Sequence, residues 1–388
     1  MRLFCGEGEV PGRSLYNGCM DILLMILAAT VVLGFLVFIH EGGHFLAARA
    51  FGVRVSEFMI GLPGPSIGIK RGETRFGLTA VPLGGYARVC GMEPGDMSPY
   101  LQRCLQALYE RGTLTPDEAA ALCGISADEA VETLDELVEW GSAVAPRKRD
   151  RSETYRTPAF RPTALQRRRL ARRGIECGPA LAEGEPRAVE DPRALFAAEY
   201  RQQYRSLPAW KRMAILLAGP LMNLLFALVI FVLVYSVIGV DYTDAEGAVT
   251  HLLLTPLQAI QAGFNYIGMV VVAVAGLFNP ATAAETVSQS TSMVGIAVMS
   301  KAAIEAGFLN ALMFTAMLSV SLGIMNLLPI PPLDGGRFVV EVYQRIRRKA
   351  VGVQAMNYLS LAGMALFMVF FLVMMNQDIQ RFVFGNWG

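Results

Sequence analysis

The chain has 388 residues, 53% of them hydrophobic and only 17% charged, with a formal net charge of +1. A mean hydropathy of +0.41 excludes an ordinary soluble domain, while the near-neutral balance says nothing about partners. Six cysteines (Cys5, Cys19, Cys90, Cys104, Cys123, Cys177) contain no Cys-x-x-Cys pair, so neither a zinc knuckle nor a disulfide framework is indicated.

In chain order, residues 1–19 lack a signal-peptide pattern. Met20 heads a segment that reads as a natural start, so 1–19 is expected to be an unstructured extension. Four long apolar helices follow: Asp21–Gly52, Met213–Val240, Phe308–Ile330 and Met356–Met375. Each is near or above the ~20 residues a membrane span requires. Gly263–Phe278 is also apolar, but it is short and flanked by Pro256 and Pro280. Residues 252–278 therefore read as an interfacial or re-entrant segment. The expected fold class is an all-α polytopic membrane protein with about four transmembrane helices, a small β-hairpin and a helical cytosolic insertion. The units are 1–19, 20–96 (first span and hairpin), 97–160 (insertion), 161–205 (basic linker) and 206–388 (remaining spans).

Basic residues set the orientation. Only Arg2 and Arg13 precede the first span, whereas Arg54, Lys70, Arg71, Arg75, Arg88 and a dense later cluster follow it. The loop after the second span carries Asp241, Asp244 and Glu246 and no basic residue until Lys301; Arg337, Arg345, Arg347, Arg348 and Lys349 follow the third. Both termini are thus expected outside a cell inner or plasma membrane, and the insertion in the cytoplasm.

Residues 40–44 read His-Glu-Gly-Gly-His at the end of the first apolar run. Four residues advance a helix by about 400°, so His40 and His44 share one face roughly 6 Å apart along the axis. Two of the chain's three histidines stand in this pattern, and an ionisable group within a span is a functional candidate by default. The spacing suits two nitrogen ligands on one Zn2+, with Glu41 displaced to act on water. A third ligand is needed. His251 falls on the wrong side of the membrane. Asp334 follows Pro329, Pro331 and Pro332, which break the third helix, and irregular backbone at membrane depth survives only where protein or water lines it. Asp334 fits the missing position; the alternative is a plain helix-end residue.

Three motifs in order, His40-Glu-Gly-Gly-His44, Ala218-Gly-Pro-Leu-Met-Asn223 and Asn326–Gly336, resemble the site-2 protease family of intramembrane zinc metalloproteases, in its bacterial branch acting in regulated intramembrane proteolysis. Phe45–Gly91, with Gly84-Gly-Tyr86, resembles that branch too. The resemblance covers roughly 20–96 and 206–345. It implies zinc on His40, His44 and Asp334, Glu41 as general base and Asn223 holding the substrate backbone. Implied substrates are transmembrane proteins, such as an anti-sigma factor or a signal-peptide remnant. Two departures stand out: 241–255 leave no room for the PDZ domain many members carry outside, and a family turn is lengthened to Gly61-Leu-Pro-Gly-Pro65.

Independently of the resemblance, Glu41 can take a proton from water and pass it to the departing amine. A transmembrane helix must unwind before attack, and a strand edge offers its backbone new partners. Thr74–Val89 reads as a hairpin, with Leu83, Gly84 and Tyr86 as its candidate substrate contacts; Asn223 joins them only as the resemblance implies. The rival function is a transporter or ion-binding protein using the same intramembrane groups.

The insertion opens with a helix at Tyr100–Arg111. Capping boxes follow at Thr115-Pro-Asp-Glu118 and Ser126-Ala-Asp-Glu129, with an apolar stripe of Ala127, Ala130, Val131, Leu134, Leu137 and Val138. It resembles a winged-helix module with 142–160 as the wing. Its second capped helix carries Asp128, Glu129, Glu132, Asp135, Glu136 and Glu139 and no basic residue, which repels phosphate. Nucleic acid is therefore not the expected partner; a cytosolic regulator is. The basic run Arg147–Arg173 suits the bilayer surface.

Overall fold

A computed structural model describes residues 11–81, 84–93, 95–148, 150, 152–160, 180–243, 249–349, 351–382 and 384. Helix α1 runs Pro11–Ala50, and strands β1–β4 cover Val55–Ile60, Ser66–Arg71, Thr74–Thr79 and Gly85–Val89. Next come α2 (Leu101–Arg111), β5 (Thr113–Leu114), α3 (Pro116–Cys123), α4 (Ala127–Glu139), β6 (Tyr155–Arg156) and α5 (Pro192–Tyr200). Helix α6 (Ala209–Val232) continues as a π-helical stretch, Leu233–Ile238, into the hairpin β7–β8 (Val240–Thr243 and Val249–Leu252). Helices α7 (Pro256–Gly276), α8 (Ala283–Gln289), α9 (Met293–Glu305), α10 (Phe308–Asn326), α11 (Asp334–Arg347) and α12 (Val353–Phe382) complete the chain.

These elements form two compact units, one holding residues up to His40, Pro220–Leu333 and Leu361 onward, the other Glu41–Gly219 and Asp334–Ser360. The first unit is helical apart from β7–β8. Its core is Ala227, Ile230, Phe231 and Val234 of the α6 run against Ala316, Val320 and Ile324 of α10. Gly323 permits the approach, since a Cβ there would stand 3.1 Å from the Pro220 carbonyl oxygen. Among the described residues, five helices are long and apolar enough to cross a membrane. The fifth is α7, expected as an interfacial or re-entrant segment. Pro256 does not interrupt it: the proline stands in the first turn, behind a Thr255–Gln258 capping box, where its missing N–H costs nothing.

The second unit carries a four-stranded sheet in the order β2-β3-β1-β4. This corrects the expected hairpin at 74–89. The hairpin is β2–β3, closed at Gly72 (φ 67°), while β1 lies between β3 and β4, parallel to β3 and antiparallel to β4. Alternation gave strand character but not partners, because a parallel pairing brings together segments distant in sequence. Phe45 of α1 meets Phe58 and Phe76 edge-on at 5.5 and 5.6 Å, seating the helix end on the sheet. Ala48, Val53, Val55, Val89, Tyr204 and Ile215 form the core beneath.

Residues 101–156 build a separate core from Leu101, Leu105, Leu108, Leu114, Leu134, Leu137 and Trp140. Both capping boxes are present, and β5 pairs with β6. Leu195, Phe196 and Tyr200 of α5 pack on the same core, so part of the expected 161–205 linker belongs to this module. Residues 161–179 and 1–10 lie outside the described residues.

Candidate metal centre

Helix α1 is uninterrupted through the His-Glu-Gly-Gly-His segment, so His40 and His44 stand one turn apart on one face. Both are buried. The break after α10 ends at Asp334, which opens α11. The candidate ligand atoms of His40, His44 and Asp334 all lie within 4.8 Å of one another. His251, by contrast, is exposed on β8 with Nδ1 2.8 Å from Asp241 Oδ1, and belongs to no such group.

The hydrogen bonds decide which nitrogen faces the cluster. His44 Nδ1 lies 2.8 Å from the Ile215 carbonyl oxygen. A carbonyl only accepts, so the proton sits on Nδ1 and Nε2 keeps its lone pair. Nε2 then faces Asp334 Oδ2 at 3.2 Å. Two acceptors at that distance demand a proton or a cation between them, and a Zn2+ ligand set satisfies the demand. His40 Nδ1 is 3.3 Å from the Asn223 amide, whose Oδ1 is buried without a partner. Turning the amide over gives Oδ1 the Nδ1–H and leaves Nε2 as the ligand atom of His40. The residues fit the metal.

Glu41 Oε2 accepts from the Ala87 N–H at 2.8 Å. Ala87 lies on β4, the outer strand beside β1, so the sheet fixes the carboxylate. Tyr86, one residue before, donates its hydroxyl to Glu57 Oε2 at 3.2 Å; burial and then Glu57 raise its pKa. Gly84 (φ 94°) accepts from the Gly61 N–H at 2.8 Å. Leu83 lies outside the described residues. The fourth expected substrate contact, Asn223, stands beside His40, its amide nitrogen 3.3 Å from Nδ1.

Sequence reasoning missed Ala87, whose contribution is a backbone N–H that its side chain does not advertise. It also passed over Gly43 and Gly219. A Cβ on Gly43 would fall 2.4 Å from the Ala218 carbonyl oxygen, and one on Gly219 2.2 Å from His44 Nε2. These glycines let α6 press against the histidine. The signal was present in Ala218-Gly-Pro, a small pair inside an apolar helix.

Residues 28–370 match the model of peptidase family M50. The chain is 25% identical to the zinc metalloprotease RasP of Bacillus licheniformis, over 92% of this chain and 99% of that one. It is likewise 25% identical to the regulator of sigma-W protease RasP of Bacillus subtilis, over 92% and 98%. A putative zinc metalloprotease of Campylobacter jejuni, Cj1068, is 26% identical over 92% and 94%. With two buried histidines and a partly buried aspartate clustered near a sheet-held glutamate, and a match across most of its length, the chain is a member of peptidase family M50.

Proposed function

We infer that this chain is an intramembrane zinc endopeptidase that hydrolyses peptide bonds in the transmembrane segments of membrane-protein substrates. One observation carries the reading: His44 Nε2 and the Asp334 carboxylate face each other as acceptors at 3.2 Å, beside Glu41, in a helix apolar enough to cross a membrane. His40, His44 and Asp334 would hold the zinc, which when bound supplies a Lewis acid that polarises the scissile carbonyl and acidifies water. Glu41 takes the proton of the attacking water and returns it to the departing amine. The Ala87 N–H aims that carboxylate, and Asn223 and the Ile215 carbonyl orient the two imidazoles. Tyr86 precedes Ala87 on the outer strand β4 and Gly84 stands just before that strand, which supports a role for both in pairing with the unwound substrate backbone. Leu83 belongs to the same proposed surface. A relative named for regulating sigma-W supports a membrane-anchored regulator, such as an anti-sigma factor, as one substrate; a signal-peptide remnant is the other expected kind.

One ion pair supports the expected topology. Arg212, in the first turn of α6, meets Glu341 of α11 at 2.7 Å, which favours an even number of crossings between them. The α6 run and α10 would supply two, which supports α7 as an interfacial or re-entrant segment despite its length. Four crossings would put both termini on one side and the insertion on the other, which the positive-inside rule makes cytoplasmic. The insertion's order of three helices with β5–β6 pairing supports a winged-helix-like module, suited by its acidic face to a protein regulator.

The test is incubation of the purified protein, and of Glu41→Gln, with a library of transmembrane peptides. Cleavage by the parent that falls about 10²–10⁴-fold in the variant is expected. A parent that cleaves nothing the variant spares ends the protease reading. Bound zinc should be lost in Asp334→Ala; undiminished zinc removes Asp334 from the ligand set and leaves a transporter-like role for the histidines open.

A further inference from the structure

A cleft of about 320 Å³ opens in the second unit, lined by none of the metal ligands. Its walls come from Gly91, Met92, Glu93 and Gly95, from Arg205, from the first turns of α6 (Arg212, Leu216) and α12 (Met356, Asn357, Ser360), and from α11 (Arg337, Val340, Glu341, Gln344). Three guanidinium groups line one cavity. Arg205 is spent in part, donating to the Glu93 and Gly95 carbonyls and pinning the loop. Arg212 pairs with Glu341, but its buried Nε has no partner. Among the described residues, Arg337 hydrogen-bonds only to the Met92 thioether, 3.6 Å away. Among the described residues, the side chains of Gln344, Asn357 and Ser360 hydrogen-bond to nothing in the protein.

The acids present do not cancel this. Glu341 is engaged by Arg212, and Glu93 is exposed. The cleft therefore offers unspent N–H and O–H donors and a positive field over an apolar floor of Leu216, Val340 and Met356. A phosphate group is the anion that uses several guanidinium and hydroxyl donors together. Its depth in the membrane is set by its walls. The helices α6 and α12 are both long and apolar enough to span, and the cleft lies at their first turns, the level of lipid headgroups. Clusters of basic residues between helix ends at this level suit anionic headgroups.

We propose that this cleft binds the phosphate of an anionic phospholipid headgroup, with Arg337 and Asn357 as its accessible contacts. The lipid is favoured over a free phosphate because the apolar floor would otherwise stay uncovered. A consequence that rests on the protease reading is that α11 begins at Asp334, three residues before Arg337. A lipid held at Arg337 would steady the helix that presents the carboxylate. Binding itself does not depend on that reading.

The experiment uses the full chain, delipidated in detergent and reconstituted into nanodiscs of phosphatidylglycerol or phosphatidylcholine. Retained lipid is counted by native mass spectrometry and thermal unfolding is recorded. One phosphatidylglycerol should remain bound at least tenfold more tightly than phosphatidylcholine. Arg337→Gln and Asn357→Ala should each erase most of that preference, and Arg337→Lys should restore part of it. Arg345→Gln, on the same helix but outside the cleft, should leave it intact. Equal retention of the two lipids, or equal damage from Arg345→Gln and Arg337→Gln, would overturn the site. Stabilisation by glycerol phosphate or inorganic phosphate with none from phosphatidylglycerol would overturn the lipid assignment. Because lipid retention is read without substrate or zinc, failure of the protease reading would leave its outcome untouched.

Discussion

The module at 101–156 and the apolar half of α1 use the same residue types to opposite ends. In the module, Leu101, Leu105, Leu108, Leu134 and Leu137 are at most 1% exposed. In α1, Ile22, Leu23, Ile26, Leu27 and Val31 are all more than half exposed. The module follows the water rule: apolar residues recur at helical spacing, face inward, and charged residues take the other face. The span follows the lipid rule, in which leucine is at home outside and the interior is reserved for close contacts and polar chemistry. His40, His44, Asn223 and Ser319 are accordingly buried there, beside apolar and small residues at helix contacts such as Leu36, Ala227 and Ala316.

The largest expected effect tests the join between the module and the sheet. Arg54 follows α1 directly and donates to Glu199 at 2.8 Å, to the Trp140 carbonyl and to Gln202 Oε1. Burial opposes its charge, but Glu199 and then Glu73 outweigh that and raise its pKa. Arg54→Ala leaves Glu199 buried and uncompensated, at a cost of about 3–5 kcal/mol, measured as lost thermal stability of the module. The double variant Arg54→Met with Glu199→Leu should recover most of it; no recovery would mean that the packing rather than the ion pair holds the join.

Next, Leu134→Ala should destabilise the module by about 2–5 kcal/mol. Leu27→Ala on the lipid face should change stability by less than about 0.5 kcal/mol. Similar losses in denaturant titration would erase the distinction between the two regions. A smaller effect is expected at the α3 cap, where Thr115→Ala should cost about 1 kcal/mol. The Thr115 backbone N–H, and then its hydroxyl, hold the Glu118 carboxyl below its ordinary pKa. That contribution is therefore complete above about pH 4.3 and is lost as the pH falls through the lowered folded value. A module whose stability rises on acidification through that window would contradict the cap.

The smallest effect is one of reactivity. Cys90 is fully buried, and burial pushes its thiol up to about 11 against the pull of Arg54. It should resist alkylation at pH 8 in the folded chain and react at once in denaturant, read by peptide mass spectrometry. Prompt reaction in the native state would show that the sheet and module part in solution.

Much of this was legible in the sequence where the governing interaction is local. Both capping boxes, the stripe through Leu134 and Leu137, and the pairing of His40 with His44 depend on residues three or four apart. The four long apolar helices appear with their ends shifted by a few residues. The length of the α7 helix was not legible from its flanking prolines, because Pro256 stands in the first turn, where proline starts a helix. The hairpin was misplaced because β1 and β3 pair in parallel across 18 residues, a distance no local pattern reports.

The sequence by itself determined that the chain lives in lipid, that two imidazoles and a carboxylate share one helix, and that a capped, amphipathic module interrupts the spans. Apolar length, helical spacing and capping chemistry are properties of short segments, so the chain carries them wherever it folds. Only the tertiary structure decided which nitrogen of each histidine is turned toward Asp334, that Ala87 steadies Glu41, and that Gly219 makes room for His44. Those outcomes depend on the Ile215 carbonyl, the Asn223 amide and a strand edge, each supplied by a segment remote in sequence. Their distances are fixed by packing, and no run of residues encodes a distance to a partner it does not contain.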